Sequence, residues 1–385
     1  MLTQLIADAT ALRHELHRQP ELSGQESGTA GRVVDWLASC DPTRIITGLG
    51  GHGVAAIFDS GQPGKSVLIR CELDALPIVE TGRPAWRSTV EGMGHLCGHD
   101  GHMAIVSALA RVLQRNPPTH GRVILLFQPA EETGAGARAV VTDPKFAQIQ
   151  PDFAFALHNL PGIPLAQVGV RSGAMNFASE GVSIRLSGRT AHASHPETGQ
   201  SPAAALMSLM TDIPLLPTRM GLDQTMALAT LVHAQLGEAA FGISPGDGHL
   251  MATLRSRNDE VQRDLIEQAL GMAASVADAH GLELKTACSD QFAACDNDVE
   301  ATAFIKSAAD KTGAILQALD APFRWSEDFG VFGNTCKSAL FVLGAGTDSA
   351  SLHNPDYDFP DALIAPGLQM FAAICEDLCG GCAVS

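Results

Sequence analysis

Apolar residues recur along this chain with two different periods, and the alternation between them lays out the fold. Leu2, Leu5, Ile6, Leu12 and Leu16 fall on one face at helical spacing, so residues 2–18 are expected to form an amphipathic helix that Pro20 ends. Residues 29–38 read as a second helix. Short apolar runs at 54–58 and 66–71 have strand length and are split by the turn residues Gly61, Gln62, Pro63 and Gly64. Residues 103–113 read as a buried helix. Further apolar runs at 122–127, 153–159 and 339–344 read as buried strands, and residues 361–378 close the chain as a helix. Strands that alternate with helices imply a parallel or mixed sheet with helices on both faces.

Between about residues 168 and 286 the texture changes. Residues 181–186 and 248–255 alternate in the manner of half-buried strands, and 202–209 and 259–280 are helical. A strand, helix, strand, strand, helix, strand order is the ferredoxin-like α+β unit. A chain of 385 residues also exceeds the usual size of one core. The expected organisation is a discontinuous domain over 1–172 and 288–385 with a second domain, 173–287, inserted into it.

Composition narrows the class. Apolar content of 45% and charged content of 17% fit a soluble globular protein. A net charge of -17 leaves no basic stripe to neutralise phosphates, which argues against nucleic-acid binding. The first residues carry no basic segment followed by an apolar one, and no run of about eighteen apolar residues occurs, so neither a signal peptide nor a membrane span is expected. Nine cysteines, an odd and scattered set, favour reduced thiols in a cytoplasmic protein. Cys375, Cys379 and Cys382 lack the second pair of a structural zinc site and read as spare thiols.

The candidate chemistry centres on Gly94-His95-Leu96-Cys97-Gly98-His99-Asp100-Gly101-His102, where one thiol, three imidazoles and a carboxylate crowd into one turn ahead of a buried helix. Cys97 and His99 are S and N ligands suited to zinc and other late divalent ions. The plainer reading is a buried cysteine beside histidines that cap a helix. Other strand ends repeat the signal. Glu72 and Asp74 follow the run 66–71, Glu131 and Glu132 follow 122–127, and His158 ends 153–159. Open α/β sheets place their sites at such ends. Adjacent glutamates point different ways, so one can bind metal while its neighbour serves as general base. Alone, that pair reads more simply as a solvated helix N-terminus. In the insert, His192 sits in a glycine-bounded turn and Arg255 on a strand; a histidine there could stabilise an oxyanion and an arginine could clamp a carboxylate, or both could be surface polar residues.

Taken together, these residues resemble the M20 family of metallo-amidohydrolases, in the branch of aminoacylases, hippurate hydrolases and auxin-conjugate hydrolases. The resemblance spans nearly the whole chain. It rests on His17-Arg18-Gln19-Pro20-Glu21-Leu22-Ser23, Leu73-Asp74-Ala75-Leu76-Pro77-Ile78, Cys97 to His102, Gln128-Pro129-Ala130-Glu131-Glu132, Leu157-His158, Gly188 to Pro196, and Leu352-His353-Asn354-Pro355. It implies an α/β fold with a mixed-sheet di-metal domain and an inserted ferredoxin-like domain that makes a homodimer. It implies two divalent ions per chain, zinc first, with manganese, cobalt or nickel as alternatives. By the same resemblance Cys97 bridges the ions, and His99, Glu132, His158 and His353 complete their shells. Glu131 is the general base and then the acid, His192 polarises the scissile carbonyl, and Arg255 binds substrate. Asp74 and Asp100 orient ligands. The expected substrate is a small N-acyl amino acid or related amide.

One departure stands out. Many relatives carry an asparagine ahead of an Ile-Pro pair before the insert arginine, whereas residues 241–246 here read Phe-Gly-Ile-Ser-Pro-Gly. Asn176 is a candidate replacement contact. Three alternatives remain open on the sequence: attack on a carbamoyl or aromatic C–N bond at the same ions, a thiol hydrolase with Cys97 as nucleophile, and a non-catalytic metal-binding protein.

Overall fold

The buried apolar runs become the central strands of an eight-stranded sheet in the computed structural model, which describes residues 2–384. Across the sheet the order is Arg44–Leu49, Gly53–Asp59, Arg122–Gln128, Ser66–Glu72, Phe153–Leu160, Lys337–Gly344, Val168–Gly169 and Leu316–Gln317. The four strands from Arg122–Gln128 to Lys337–Gly344 are parallel neighbours. Gly53–Asp59 joins antiparallel, so the sheet is mixed. Because side chains alternate along a strand, the four strands bury both faces. Val67, Ile69, Val123, Leu125, Phe155 and Phe341 share a core with the helices Leu2–Arg18, Ser27–Ala38, His99–Arg115, Val299–Thr312 and Ile364–Cys379. The intervening Leu68, Ile124, Leu126, Leu340 and Val342 are buried too, and the helix Gly136–Thr142 and the 3-10 turn Asp328–Asn334 pack on these strands.

The chain divides into two units. The first runs to Met175 and resumes at Cys295–Asp320 and from Glu327; the second is Asn176–Ala294 with Ala321–Ser326. The junctions expected at 172/173 and 287/288 thus fall at 175/176 and 294/295. The reason for the later one is strand pairing: Glu283–Phe292 bonds antiparallel to Ala178–Ser187, and a break at 287 would cut it in two. The second unit orders its strands Ala227–Leu236, Asp247–Ser256, Ala178–Ser187, Glu283–Phe292, all antiparallel, with helices Ala203–Asp212 and Asp259–Ala279. This is the ferredoxin-like arrangement. Its core joins Ile184, Leu186, Leu250 and Leu254 to Leu206, Leu209 and Leu265.

Two elements differ from the sequence pattern. The long buried helix begins at His99, four residues before its apolar run, so the candidate ligand sits in its first turn. Gly98, at φ +93, supplies the left-handed residue that lets the chain enter. The closing helix Ile364–Cys379, preceded by the turn Asp361–Leu363, is long and apolar enough by composition to cross a membrane, yet it buries Leu368, Phe371, Ile374 and Leu378 in the core of the first unit.

A buried ionic cluster ties the first helix to the metal-motif helix. Arg13 and His17 are fully buried and both bond Asp100, through Nε at 2.7 Å and Nδ1 at 2.8 Å. Burial by itself pulls His17 down, but Asp100 and Glu80 outweigh it and raise it to about 9. The folded chain therefore holds this proton more tightly than the unfolded chain, where histidine titrates near ~6.5. The stabilisation is complete below about pH 6.5 and is lost as pH rises through about 9. Urea midpoints should fall over that window by the equivalent of roughly 1–3 kcal/mol. His17→Gln should flatten the fall, and an unchanged profile in that variant would contradict the assignment.

Candidate metal centre

Parallel strands place their C-terminal ends along one edge, and the chemistry-bearing residues collect there. Glu72 ends Ser66–Glu72 and Asp74 follows it. Glu131 and Glu132 lie in the turn after Arg122–Gln128, and His158 lies near the end of Phe153–Leu160. Cys97 and His99 stand at the start of the adjacent helix. His353, at φ +66, comes from the loop after Lys337–Gly344, and its backbone N–H donates to the Leu96 carbonyl at 2.8 Å. That bond pins the His353 loop beside the Cys97 turn.

Two triads share one atom. Cys97, His99 and His158 bring their ligand atoms within 4.8 Å of one another, and so do Cys97, Glu132 and His353. Cys97 Sγ is common to both and lies 3.5 Å from His158 Nε2. His353 Nε2 is 3.6 Å from Glu132, and His99 Nε2 is 3.8 Å from both Glu131 and Glu132.

The imidazole tautomers follow from their other contacts. A carbonyl only accepts, so His99 Nδ1, 2.9 Å from the Asp74 carbonyl, must carry the proton. His158 Nδ1 does the same toward the Asn159 carbonyl at 2.8 Å. Each ring therefore turns Nε2 inward, the nitrogen a metal would take in place of any proton there. His99 Nε2 and Glu132 Oε1 are buried without a hydrogen-bond partner. Orphaned buried polar atoms of a thiol, imidazole and carboxylate set are what a bound divalent cation would satisfy.

Charge makes the same demand. Glu131 is pushed well above the carboxylate range by burial and by Glu327, Glu132 and Asp328. Glu132 is raised to about 7 by burial and Asp74, against the pull of His99. His99 would be lowered by burial, but Asp74, Glu72 and Glu132 lift it to about 10. Protons stand here where cations would.

Some expected residues sit elsewhere. Asp74 lies against the set: one oxygen accepts from Ser23 Oγ at 2.7 Å and from the Glu132 backbone N–H at 2.9 Å. Asp100 does not touch the ligands. One residue along a helix turns about 100°, so it faces away from His99 toward Arg13 and His17. His192, Arg255 and Asn176 belong to the second unit. His192 is exposed. Arg255 donates to the Arg324 carbonyl and to Ser326 Oγ at 2.8 Å. Asn176 is fully buried with neither amide atom bonded.

The sequence reading gave no role to a buried network behind Glu131. Arg70 bonds Glu72, Glu327 at 2.8 Å, Asp328 and Gln128 at 2.9 Å, all buried. Glu72 also bonds His102 Nδ1 at 2.6 Å. An arginine inside an otherwise apolar strand was the available signal, since a buried guanidinium needs carboxylate partners.

Comparison with known proteins places these features. The model of peptidase family M20/M25/M40 matches residues 68–377. The chain is 29% identical over 365 residues to the hippurate hydrolase of Campylobacter jejuni, covering 94% of each. It is 29% identical over 370 residues to an N-acetyl-L-cysteine deacetylase of Bacillus subtilis, covering 94% of this chain and 86% of that one. Its fold matches that of the Bacillus subtilis YXEP protein, a dinuclear metal binding peptidase, with TM-score 0.80, 23% identity, and 97% and 98% of the two chains covered.

Replacing protons by cations has a measurable consequence. Zinc added to chelator-stripped protein at pH 7 should release protons, read as a dependence of the binding heat on the buffer's ionisation enthalpy. Glu132→Ala should weaken the binding by at least tenfold. Binding with no proton release would contradict the charge balance described.

Proposed function

As the chain belongs to peptidase family M20/M25/M40, we propose that it hydrolyses the amide bond of an N-acyl amino acid or related amide conjugate with two divalent ions. The observation that carries this reading is the Cys97 thiol shared by two ligand triads, with Glu131 beside them on the neighbour of a ligand. Cys97, His99 and His158 would hold one ion, and Cys97, Glu132 and His353 the other. Zinc suits the thiol and imidazole donors; manganese, cobalt and nickel also accept this set.

When bound, the ions supply the Lewis acidity that makes water nucleophilic near neutral pH. Glu131 takes the proton of the attacking water. Its environment, which favours the protonated form, then suits delivery of that proton to the leaving nitrogen. Amines leave poorly without that proton. His192 donates to the carbonyl oxygen as negative charge develops on it. Arg255 meets the substrate carboxylate and Asn176 offers an amide whose atoms are not otherwise engaged. Asp74 fixes His99 and the Glu132 backbone.

A thiol mechanism fits less well. Burial, with Glu132 and Glu131 nearby, pushes the Cys97 thiol well above its ordinary value, whereas a nucleophilic cysteine needs a lowered one. A carbamoyl or aromatic C–N bond is the second substrate reading, and residues 241–246, without an asparagine, are the feature that favours it.

The homodimer is assigned to the second unit. Ala227–Leu236 is an edge strand of its sheet, with Val232 and Leu236 exposed on it and Phe241 exposed in the connection that follows. An open edge of this kind pairs readily with a second copy. Sedimentation should give a dimer that Val232→Lys weakens; a monomer at micromolar concentration would overturn the assignment.

Amine release from a panel of N-acyl amino acids should vanish on chelation and return with zinc, manganese or cobalt. Glu131→Gln should lower kcat by about 10²–10⁴ with metal content unchanged. Full turnover in that variant, or turnover that survives chelation, would overturn the mechanism. A metal-loaded protein silent on this panel but active on carbamoyl compounds would favour the second substrate class.

A further inference from the structure

We infer that Ser194 is a positioning residue: it sets which ring nitrogen of His192 carries the proton. The inference rests on the reading of His192 as the donor to the substrate carbonyl.

His192 ends the short strand Ala191–His192, which pairs with Ile243–Ser244. The turn after it is closed by His195 N–H donating to the His192 carbonyl at 2.8 Å and by Ala193 N–H donating to the Gly242 carbonyl at 3.0 Å. The backbone is therefore held, and two groups of Ser194 reach the same ring atom. Its backbone N–H donates to His192 Nδ1 at 3.1 Å. An amide N–H can only donate, so Nδ1 offers a lone pair. Ser194 Oγ lies 2.7 Å from that same Nδ1. Two lone pairs cannot face each other at this distance, so the hydroxyl must spend its one hydrogen on Nδ1. Its oxygen then has only lone pairs left, and His195 Nδ1, 2.8 Å away, must bring its own proton.

Every hydrogen in this chain is thereby assigned: His195 Nδ1–H to Ser194 Oγ, and Ser194 O–H to His192 Nδ1. The neutral His192 ring must then carry its proton on Nε2. That matters because an oxyanion is stabilised by a donor and repelled by a lone pair. A free imidazole distributes itself between two tautomers, and one of them would present the wrong atom. Ser194 removes that one. Ser194 needs no contact with substrate to do so.

The ring nitrogens can be read directly. Full-length, metal-loaded protein labelled with 15N-histidine should show His192 Nδ1 in the unprotonated range and Nε2 in the protonated range, with the resonances assigned by their loss in His192→Ala. Ser194→Ala keeps the backbone donor and removes the hydroxyl. It should shift the His192 nitrogens toward tautomer averaging and lower kcat about five- to tenfold with KM little changed, the size expected for one hydrogen bond. Ser194→Thr should restore both. A proton on Nδ1 in the parent protein would overturn the inference, and so would a loss of kcat in Ser194→Ala without any tautomer shift, since a merely structural role gives that result. If His192→Ala turns over at full rate, the role of His192 at the carbonyl fails instead, and the ring-nitrogen measurement shows that separately.

Discussion

Glu72, Glu327 and Asp328 share the Arg70 guanidinium inside the first unit, and the strand ends that build the site depend on it. Asp328 accepts from Gln128 and from the Ala137 backbone N–H at 2.7 Å, which fastens the turn carrying Glu131 and Glu132. Glu72 holds His102, one helical turn from His99. A single guanidinium does not neutralise this many carboxylates. The surplus shows in Asp328, which burial and Glu327 raise to about 8 even with Arg70 against it. The edge of the sheet is built short of positive charge, and divalent cations would complete it.

That shortfall explains why ligands and supports are hard to separate here. Asp74 bonds His99 through its carbonyl and Glu132 through its carboxylate, so one residue touches a member of each triad. Asp100, next to His99 in sequence, instead anchors the helix to Arg13 and His17. The helix start is fixed from behind by an ionic cluster and from the front by the strand ends. Carbonyls placed at the Nδ1 atoms of His99 and His158 leave Nε2 as the inward-facing nitrogen of each ring. A related arrangement recurs in the second unit, where the Ser194 backbone N–H and hydroxyl, rather than a carbonyl, face His192 Nδ1. A carbonyl at Nδ1 accepts a proton from the ring, whereas donors at Nδ1 meet its lone pair.

The amino-acid sequence by itself determined the α/β class, the central buried strands, the ferredoxin-like order of the second unit and the cluster around Cys97. Each depends on periodicity or on neighbours along the chain, which sequence displays directly. Glycine at 98 and 101 and apolar residues from 103 onward already marked a sharp entry into a buried helix. Tertiary structure decided what spacing does not encode. Ala227–Leu236 is a strand because Asp247–Ser256 pairs with it, not because its own residues alternate. The junction near 294 follows from strand pairing. The sharing of Cys97 between two triads requires His158 and His353, which arrive from separate strands. Arg70 with Glu327 and Asp328, and Asp100 with Arg13, join residues far apart in the chain, and only folding tells which buried charge finds which partner.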